Sequence, residues 1–411
     1  MMPKKEFDVI VLGAGAAGLM TALTAAKRKK SVLVLEKSNK EGKKILMSGG
    51  GKSNFTNLYV EAENFLSNNP HFCKSALKRF SPNDFITMVE NYHIEYEEKK
   101  HQQLFCINSS KDILNMLLDE CAELGVKILT NADTKKVIKR SKTDGNSSYE
   151  LITLLDSKKI ADKNSFFCNS LVVATGALSI PSLGGSGFGY ELAKEFDLSL
   201  IPRRASLVPF MFSDEIKSIC EKLTGLSVMT TISSNGKFFT ESMLFTHRGL
   251  SGPVILQISN YWNPGDVIMI DLLPSIDISN LLLKEKEKNP RTSIKRNLNN
   301  YLSKALVAEL EEIYWPTEKG LMLAEISKDK ILKIGNLLNN WKLKPASTEG
   351  YRTAEVTLGG IDTDAIDSRT MEVKKHAGLF FVGEVLDVTG HLGGYNFQWA
   401  WASGHSAGLV V

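Results

Sequence analysis

The sequence predicts an α/β fold in which a strand, helix and strand at the start of the chain are completed by segments near its end, with an insert between them. Three observations carry this. An apolar strand at residues 7–12 runs into a glycine-rich turn, a helix and a second strand. A second buried-looking strand, Leu171-Val172-Val173, ends in Ala174-Thr175-Gly176. From about residue 203 the texture changes to hairpins and then polar helices, and apolar strand-to-glycine segments resume at Leu379-Phe380-Phe381-Val382-Gly383-Glu384.

Phe7-Asp8-Val9-Ile10-Val11-Leu12 is rich in β-branched residues and meets Gly13-Ala14-Gly15-Ala16-Ala17-Gly18 where a strand of that length should end. In that context G-x-G-x-x-G has a physical meaning. Gly13 permits the tight turn, Gly15 lets backbone approach a pyrophosphate, and Gly18 lets the helix at residues 19–27 pack closely on the strand. The strand at residues 31–35 then ends in Glu36, at the distance expected for the acid that accepts from an adenosine ribose. A bare glycine triplet would be weak evidence; strand, turn, helix, strand and acid together are not.

With 411 residues, two or three domains are expected, one of them discontinuous in sequence. Lysine and arginine number 50 against 46 acids, so the formal charge of +4 leaves no nucleic-acid footprint by itself. The run Lys27-Arg28-Lys29-Lys30 reads as a solvated helix end. Five scattered cysteines suggest neither a disulfide framework nor a clustered metal site, the absence of C-x-x-C argues against dithiol chemistry, and a reducing cytoplasm fits best. Lys4-Lys5 before an apolar stretch imitates a secretory signal, but cleavage would remove the dinucleotide fingerprint. No apolar run approaches a membrane span, so a soluble, cytoplasmic protein without metal is expected.

Along the chain, Lys43-Lys44 and Ser48-Gly49-Gly50-Gly51-Lys52-Ser53-Asn54 make a second backbone-rich surface suited to phosphate or a flat ring. Two helices are expected over residues 70–92, the second capped at Ser81-Pro82, and another over residues 110–124. A strand at residues 126–129 is followed by a hairpin whose turn falls at residues 141–148, marked by Asp144-Gly145-Asn146. The glycines of residues 184–189 open a helix, yet no apolar strand leads into them, so no second nucleotide fold is expected there. A further hairpin turns at Ser234-Asn235-Gly236-Lys237, with strands expected at residues 243–246 and 267–271. Residues 278–341 read as mostly helical. The boundaries that follow are residues 1–202 with 344–411 for the discontinuous domain, 203–276 for a β-rich insert with a return near 342–350, and 277–341 for a helical insert. The last helix begins after Gly393-Gly394-Tyr395-Asn396.

Taken together, these segments resemble the two-dinucleotide-binding FAD superfamily, and more narrowly the BaiN-like NAD(P)/FAD-dependent oxidoreductases related to aminoacetone oxidase. The most specific stretches are Leu244-Phe245-Thr246-His247-Arg248-Gly249-Leu250-Ser251-Gly252-Pro253, Thr353-Ala354-Glu355-Val356-Thr357-Leu358-Gly359-Gly360 and Gly383-Glu384-Val385-Leu386-Asp387. One departure is Lys52-Ser53-Asn54, where that family often has Arg-Cys-Asn. The resemblance implies a Rossmann-like FAD-binding domain of glutathione-reductase and fumarate-reductase type, interrupted by a β-barrel plus helical insert. It implies non-covalent FAD held by residues Gly13, Gly15, Ala16, Ala17 and Gly18 at the pyrophosphate and Glu36 and Lys37 at the ribose. Lys44, Ser48, Gly49, Gly50 and Asn54 come from the second glycine loop, and Val137 offers backbone to the adenine edge. Thr175, Gly176, Gly383 and Glu384 run beneath the cofactor or near its ribityl chain, and Gly394, Asn396, Phe397 and Gln398 lie at the pyrimidine edge.

For catalysis the candidates are His247, as a proton donor beside Arg248 or else a capping or domain-contact residue, and Tyr395 and Thr357, as groups lining the flavin face or else packing beside it. The expected function is an FAD-dependent oxidoreductase moving hydride between flavin and a small or hydrophobic organic substrate. NADH, NADPH or oxygen closes the cycle as a transient partner, with neither nucleic acid nor membrane involved. The competing expectation is a flavin-containing protein that binds RNA or another macromolecule with little turnover.

Overall fold

The structure is a computed structural model that describes residues 5–141, 147–155 and 163–411. The hairpin turn expected at Asp144-Gly145-Asn146 lies outside the described residues. The chain divides into two compact units, Met1–Ala205 with Glu355–Val411, and Ser206–Ala354.

In the first unit, β1 (Glu6–Leu12) leads through the glycine turn to α1 (Ala16–Lys27) and β2 (Val32–Leu35). Three short strands, β3 (Asn54–Asn57) and the hairpin of β4 (Tyr96–Lys99) with β5 (Gln103–Cys106), form a small separate sheet. Helix α2 (Ser110–Glu123) begins with a capping box in which Ser109 and Asp112 satisfy each other's backbone N–H groups. Strands β6 (Lys127–Leu129), β7 (Ala132–Ser141), β8 (Ser147–Leu155) and β9 (Lys163–Val173) complete the segment.

The second unit carries an antiparallel sheet of β10 (Phe210–Met211), β11 (Ser227–Ser234), β12 (Lys237–Thr246), β13 (Gly249–Ser251), β14 (Ile268–Asp271), β15 (Trp341–Leu343) and β16 (Ser347–Thr348). Their order is β15-β14-β11-β12-β13-β10-β16. Helices α3 (Pro253–Ser259), α4 (Ile278–Lys288), α5 (Lys304–Tyr314) and α6 (Lys328–Asn339) contribute to the same apolar core as these strands, around Phe245, Ile270, Trp315 and Trp341. Strands and helices of the insert therefore share one interior.

Back in the first unit, β17 (Val356–Leu358), β18 (Leu379–Phe381) and α7 (Tyr395–Gly408) close the fold. The main sheet runs β6-β2-β1-β9-β8-β7, with β18 also on β9. Strand β9 has two roles. Its first half pairs antiparallel with β8, and its second half lies parallel between β1 and β18, Leu171 standing opposite both Ile10 and Leu379. The parallel strands are apolar along their length because helices cover them, as expected for parallel pairing. Helix α7 packs against α1 through small residues: a β-carbon on Gly404 would stand 2.4 Å from the Ala17 carbonyl oxygen, and one on Gly408 would stand 2.5 Å from Thr24. Both helices are buried along most of their length.

Candidate functional site

The glycine turn is built for close approach on one side and open space on the other. Gly13 sits at φ +105°, and a β-carbon there would meet the Ala174 carbonyl oxygen at 2.5 Å; one on Gly18 would meet the Gly13 carbonyl oxygen at 1.9 Å. In front of Gly15, by contrast, no protein atom beyond its chain neighbours lies within 4 Å of the position a β-carbon would take. Helix α1 starts there with no side chain capping it and no acid in its first turn. Uncapped N–H groups at the positive end of a helix, facing an open space, suit a pyrophosphate. Ala16 and Ala17 present those groups.

Glu36 is tied to this turn. Its Oε2 accepts from the Ala14 N–H at 2.8 Å and its Oε1 from the Ser38 N–H at 2.7 Å, which fixes the carboxylate at the strand end while each oxygen keeps a lone pair for a ribose hydroxyl. Lys37 is mostly exposed, 3.5 Å from Asp133. Val137 is buried in β7, the edge strand of the main sheet.

The second cluster gathers around Glu384. Its Oε2 takes Lys44 Nζ at 2.7 Å, and its Oε1 takes Ser179 Oγ at 2.7 Å and the Thr357 N–H at 2.9 Å. Lys44 also reaches Ser179 Oγ at 2.6 Å. Residues from three other parts of the chain thus fix one half-buried carboxylate. Gly176, at φ +67°, would bring a β-carbon to 4.0 Å from it, so the Ala-Thr-Gly turn passes beside the cluster. Thr175 Oγ1 is buried without a hydrogen-bond partner. Gly383, at φ +74°, lies against Ala17 and is held by Ser403 Oγ and Trp399 Nε1. Ser179 was not expected from sequence; only its place just after the Ala-Thr-Gly turn pointed to it.

The glycine loop Ser48–Gly51 has Gly49 and Gly50 in left-handed conformations, with Phe105 packed beneath Gly49 and open space in front of Gly50. Ser48 Oγ donates to the Ile45 carbonyl, and the Asn54 and Gln103 amides pair. Two of the α7 residues expected at the pyrimidine edge use their side chains within the protein. The Asn396 side chain clamps the Gly390 backbone through both its oxygen and its nitrogen, and that of Gln398 is fully buried between Thr56 Oγ1 and the Phe80 carbonyl. Both amides are satisfied within the protein, so what α7 offers a ligand is its N-terminal backbone after Gly394, which no side chain caps. Phe397 stacks on Trp401.

Of the catalytic candidates, Thr357 is fully buried, its Oγ1 accepting from the Leu178 N–H at 3.1 Å and its carbonyl from Thr389 Oγ1. Those contacts make it a positioning residue of β17. Tyr395 opens α7, edge-on to Phe65, and burial raises its phenol above the ordinary range. His247 is exposed in the second unit, in a turn that Thr246 Oγ1 fixes by accepting from the Arg248 and Gly249 N–H groups. His247 thus belongs to the second unit, and Tyr395 and Thr357 to the first. A group the sequence reasoning did not single out is Glu355, just before β17. Its side chain is exposed and makes no hydrogen bond among the described residues, and partial desolvation by the protein around it raises its carboxyl to about 7. All five cysteines are buried, and burial pushes the thiols of Cys106, Cys121 and Cys220 up to about 12, unsuited to thiolate chemistry. Among the described residues no group of acids, histidines and cysteines is arranged to hold a metal, and no helix is long and apolar enough to cross a membrane.

With this geometry in place, comparison with known proteins is informative. The chain is 45% identical over 402 residues to the ribosomal RNA dihydrouridine synthase of Escherichia coli K12, covering 97% of this chain and 96% of that protein. It is 45% identical over 407 residues to the protein of the same name from Haemophilus influenzae, covering 98% of each. At 26% identity over 422 residues, and 98% of each chain, it is similar to the 3-dehydro-bile acid delta(4,6)-reductase of Clostridium scindens. A solved structure, 3-ketosteroid-delta4-(5alpha)-dehydrogenase of Rhodococcus jostii RHA1, shares the fold at a TM-score of 0.51 and 13% identity, covering 100% of this chain and 98% of that one. The first two relatives overturn the expectation that nucleic acid plays no part, since ribosomal RNA stands in their names. The near-neutral charge behind that expectation is a sum over the whole chain and is silent about any single face. The Rossmann-type FAD-binding fold is thus established, and because the HI0933-like protein Rossmann domain matches residues 7–410, the chain belongs to that family.

Proposed function

We propose that this protein is an FAD-dependent reductase that saturates the 5,6 double bond of a uridine in ribosomal RNA, with NADH or NADPH as the source of electrons. The observation that carries the proposal is the full-length 45% identity to two ribosomal RNA dihydrouridine synthases. A chemical argument supports it. In uracil the C5–C6 double bond is conjugated with the C4 carbonyl, and the bile-acid reductase at 26% identity also acts, by its name, on double bonds conjugated with a carbonyl. One reaction class covers both: hydride adds to the carbon remote from the carbonyl, C6 in uracil, and a proton to its neighbour, C5.

The residues present fit FAD. The open space at Gly15, the uncapped start of α1 and the anchored Glu36 suit its adenosine diphosphate half, and the Lys44, Ser179 and Glu384 cluster suits its polyol. When bound, FAD supplies the hydride. The chain's own task is then to hold substrate and proton. Tyr395 is kept protonated by burial and can donate a hydrogen bond, and Glu355 can carry a proton near neutral pH. The N-terminus of α7 favours negative charge placed before it. His247 is retained as a proposed second proton source from the insert.

The test is to incubate the yellow protein with NADH or NADPH and ribosomal RNA lacking the modification, then to analyse the nucleosides by mass spectrometry. Dihydrouridine formed in proportion to nicotinamide oxidised is the expected result. Nicotinamide consumption without dihydrouridine, together with reduction of a steroid enone, would turn the assignment to the bile-acid type of substrate.

A further inference from the structure

The insert carries a sheet face that its own fold leaves uncovered. Strands β15, β14, β11 and β12 lie side by side, and one face of them packs Trp341, Ile270, Ile232 and Met243 into the core of the second unit. The other face bears a row running across all four strands, Lys342 opposite Met269, Met269 opposite Ser233, and Ser233 opposite Phe238. Phe238 is 70% exposed. The next row holds Asp271, Thr231 and Thr240, and beyond it Met229 stands opposite Ser242. Ser233 and Met229 stand four positions apart on β11, about 13 Å along the strand.

At the Met229 end the face runs into a cleft of about 330 Å³, lined among others by Ser227, Met229, Leu272, Ser275, Tyr301 and Ser303. Tyr301 is half exposed there. The track therefore has an aromatic ring at each end, hydroxyl side chains between, and polarisable methionines beside them.

One cation stands on this face: Lys342 is exposed and has no acidic partner among the described residues. Of the carboxylates nearest the face, Asp271 accepts from the Leu273 N–H and Asn339 Nδ2, and Asp266 from Asn235 Nδ2 and the Asn263 N–H. The rows of serine and threonine make the face too polar for the core of a permanent dimer, which resembles a protein interior. Exposed rings on a sheet, polar groups around them and unpaired lysine are what stacks and holds unpaired bases.

We propose that this face and the adjoining cleft bind single-stranded RNA, with bases stacked on Phe238 and Tyr301 and backbone charge met by Lys342. The proposal rests on ribosomal RNA being the substrate and gives the insert its part in that reaction: it grips a strand flanking the uridine.

The test uses the full-length protein and a fluorescently labelled oligouridylate of about 12 nucleotides, with anisotropy read at several salt concentrations. Phe238→Ala and Tyr301→Ala should each weaken binding about tenfold, and Lys342→Gln should lower the slope of log affinity against log salt by about one. Both rings are exposed, so these variants should melt like the parent. A wild type that does not bind the oligonucleotide, or variants that bind as it does, would overturn the proposal. So would a dimer in sedimentation that Phe238→Ala dissociates while RNA binding stays unchanged, since the face would then belong to a second copy. The substrate assignment is judged separately, by dihydrouridine formed by the wild type: binding lost in the variants without any dihydrouridine from the wild type would leave the platform standing and remove the reaction.

Discussion

Gly15 adopts φ −88° and ψ −171°, a backbone conformation open to any residue, so its smallness is not demanded by the chain's own geometry. What it preserves is the empty space in front of it. Gly15→Val should therefore fold normally and come out colourless, and the absorbance of purified protein checks this; retained flavin at wild-type level would show that the pyrophosphate lies elsewhere. Glu355 permits a second prediction. Its carboxyl is raised from 4.5 to about 7, so the stability it contributes is complete below the unfolded value and is lost as pH rises through about 7. Glu355→Gln should remove that fall, so the variant melts higher than the parent at pH 8 and similarly at pH 4. If Glu355 holds the reaction's proton, the loss of rate above about pH 7 should vanish in the same variant. Roles at this scale were unevenly legible. Gly13, Gly15 and Glu36 announce themselves because their spacing is local, whereas Ser179, Lys44 and Thr357 meet Glu384 only through the fold. That the Asn396 and Gln398 amides serve the Gly390 and Phe80 backbone was not legible, because sequence shows an amide and not its partner.

Among elements, the hairpin of β11 and β12 was plain from Asn235-Gly236, whose φ values of +48° and +74° are those a two-residue loop needs to match strand twist. The second strand of that hairpin and the strand expected at residues 243–246 proved to be one, β12, because residues 241 and 242 interrupt the apolar pattern without interrupting the pairing. Short pieces such as Phe210–Met211 carry too few residues to show a period, and only their partners make them strands. The contact of α1 with α7 was illegible for a different reason: Gly404 and Gly408 look like helix weakeners until a second helix is laid against them. Gly404→Val, with its β-carbon 2.4 Å from a backbone oxygen, should cost about 1–3 kcal/mol of stability, seen as a lower melting temperature. Equal melting would mean the two helices part without loss.

At the scale of the whole molecule, the chain leaves the first unit and returns to it side by side. The Ile201 N–H donates to the Gly360 carbonyl at 2.8 Å, and a β-carbon on Gly359 would strike the Pro202 carbonyl oxygen. Replacing residues 206–354 by a short glycine-serine linker should consequently leave a folded, yellow protein, and the proposed reaction on RNA should be gone. A colourless, aggregated product would show that the first unit does not fold alone.

Among the described residues there is one cradle for a dinucleotide. The glycines of residues 184–189, the nearest thing to a second fingerprint, are committed to packing: Gly185 lies against the Ser179 carbonyl, and Gly189 against Thr175 and Val385. Strand β1 with its turn, α1, β2 and Glu36 is the seat proposed for FAD, so a nicotinamide donor has no comparable seat among the described residues. It must visit the reaction face and leave before RNA arrives. Initial rates against RNA concentration at several fixed donor concentrations should then give parallel double-reciprocal lines. Intersecting lines, with donor and RNA bound together at equilibrium, would require a separate nicotinamide site.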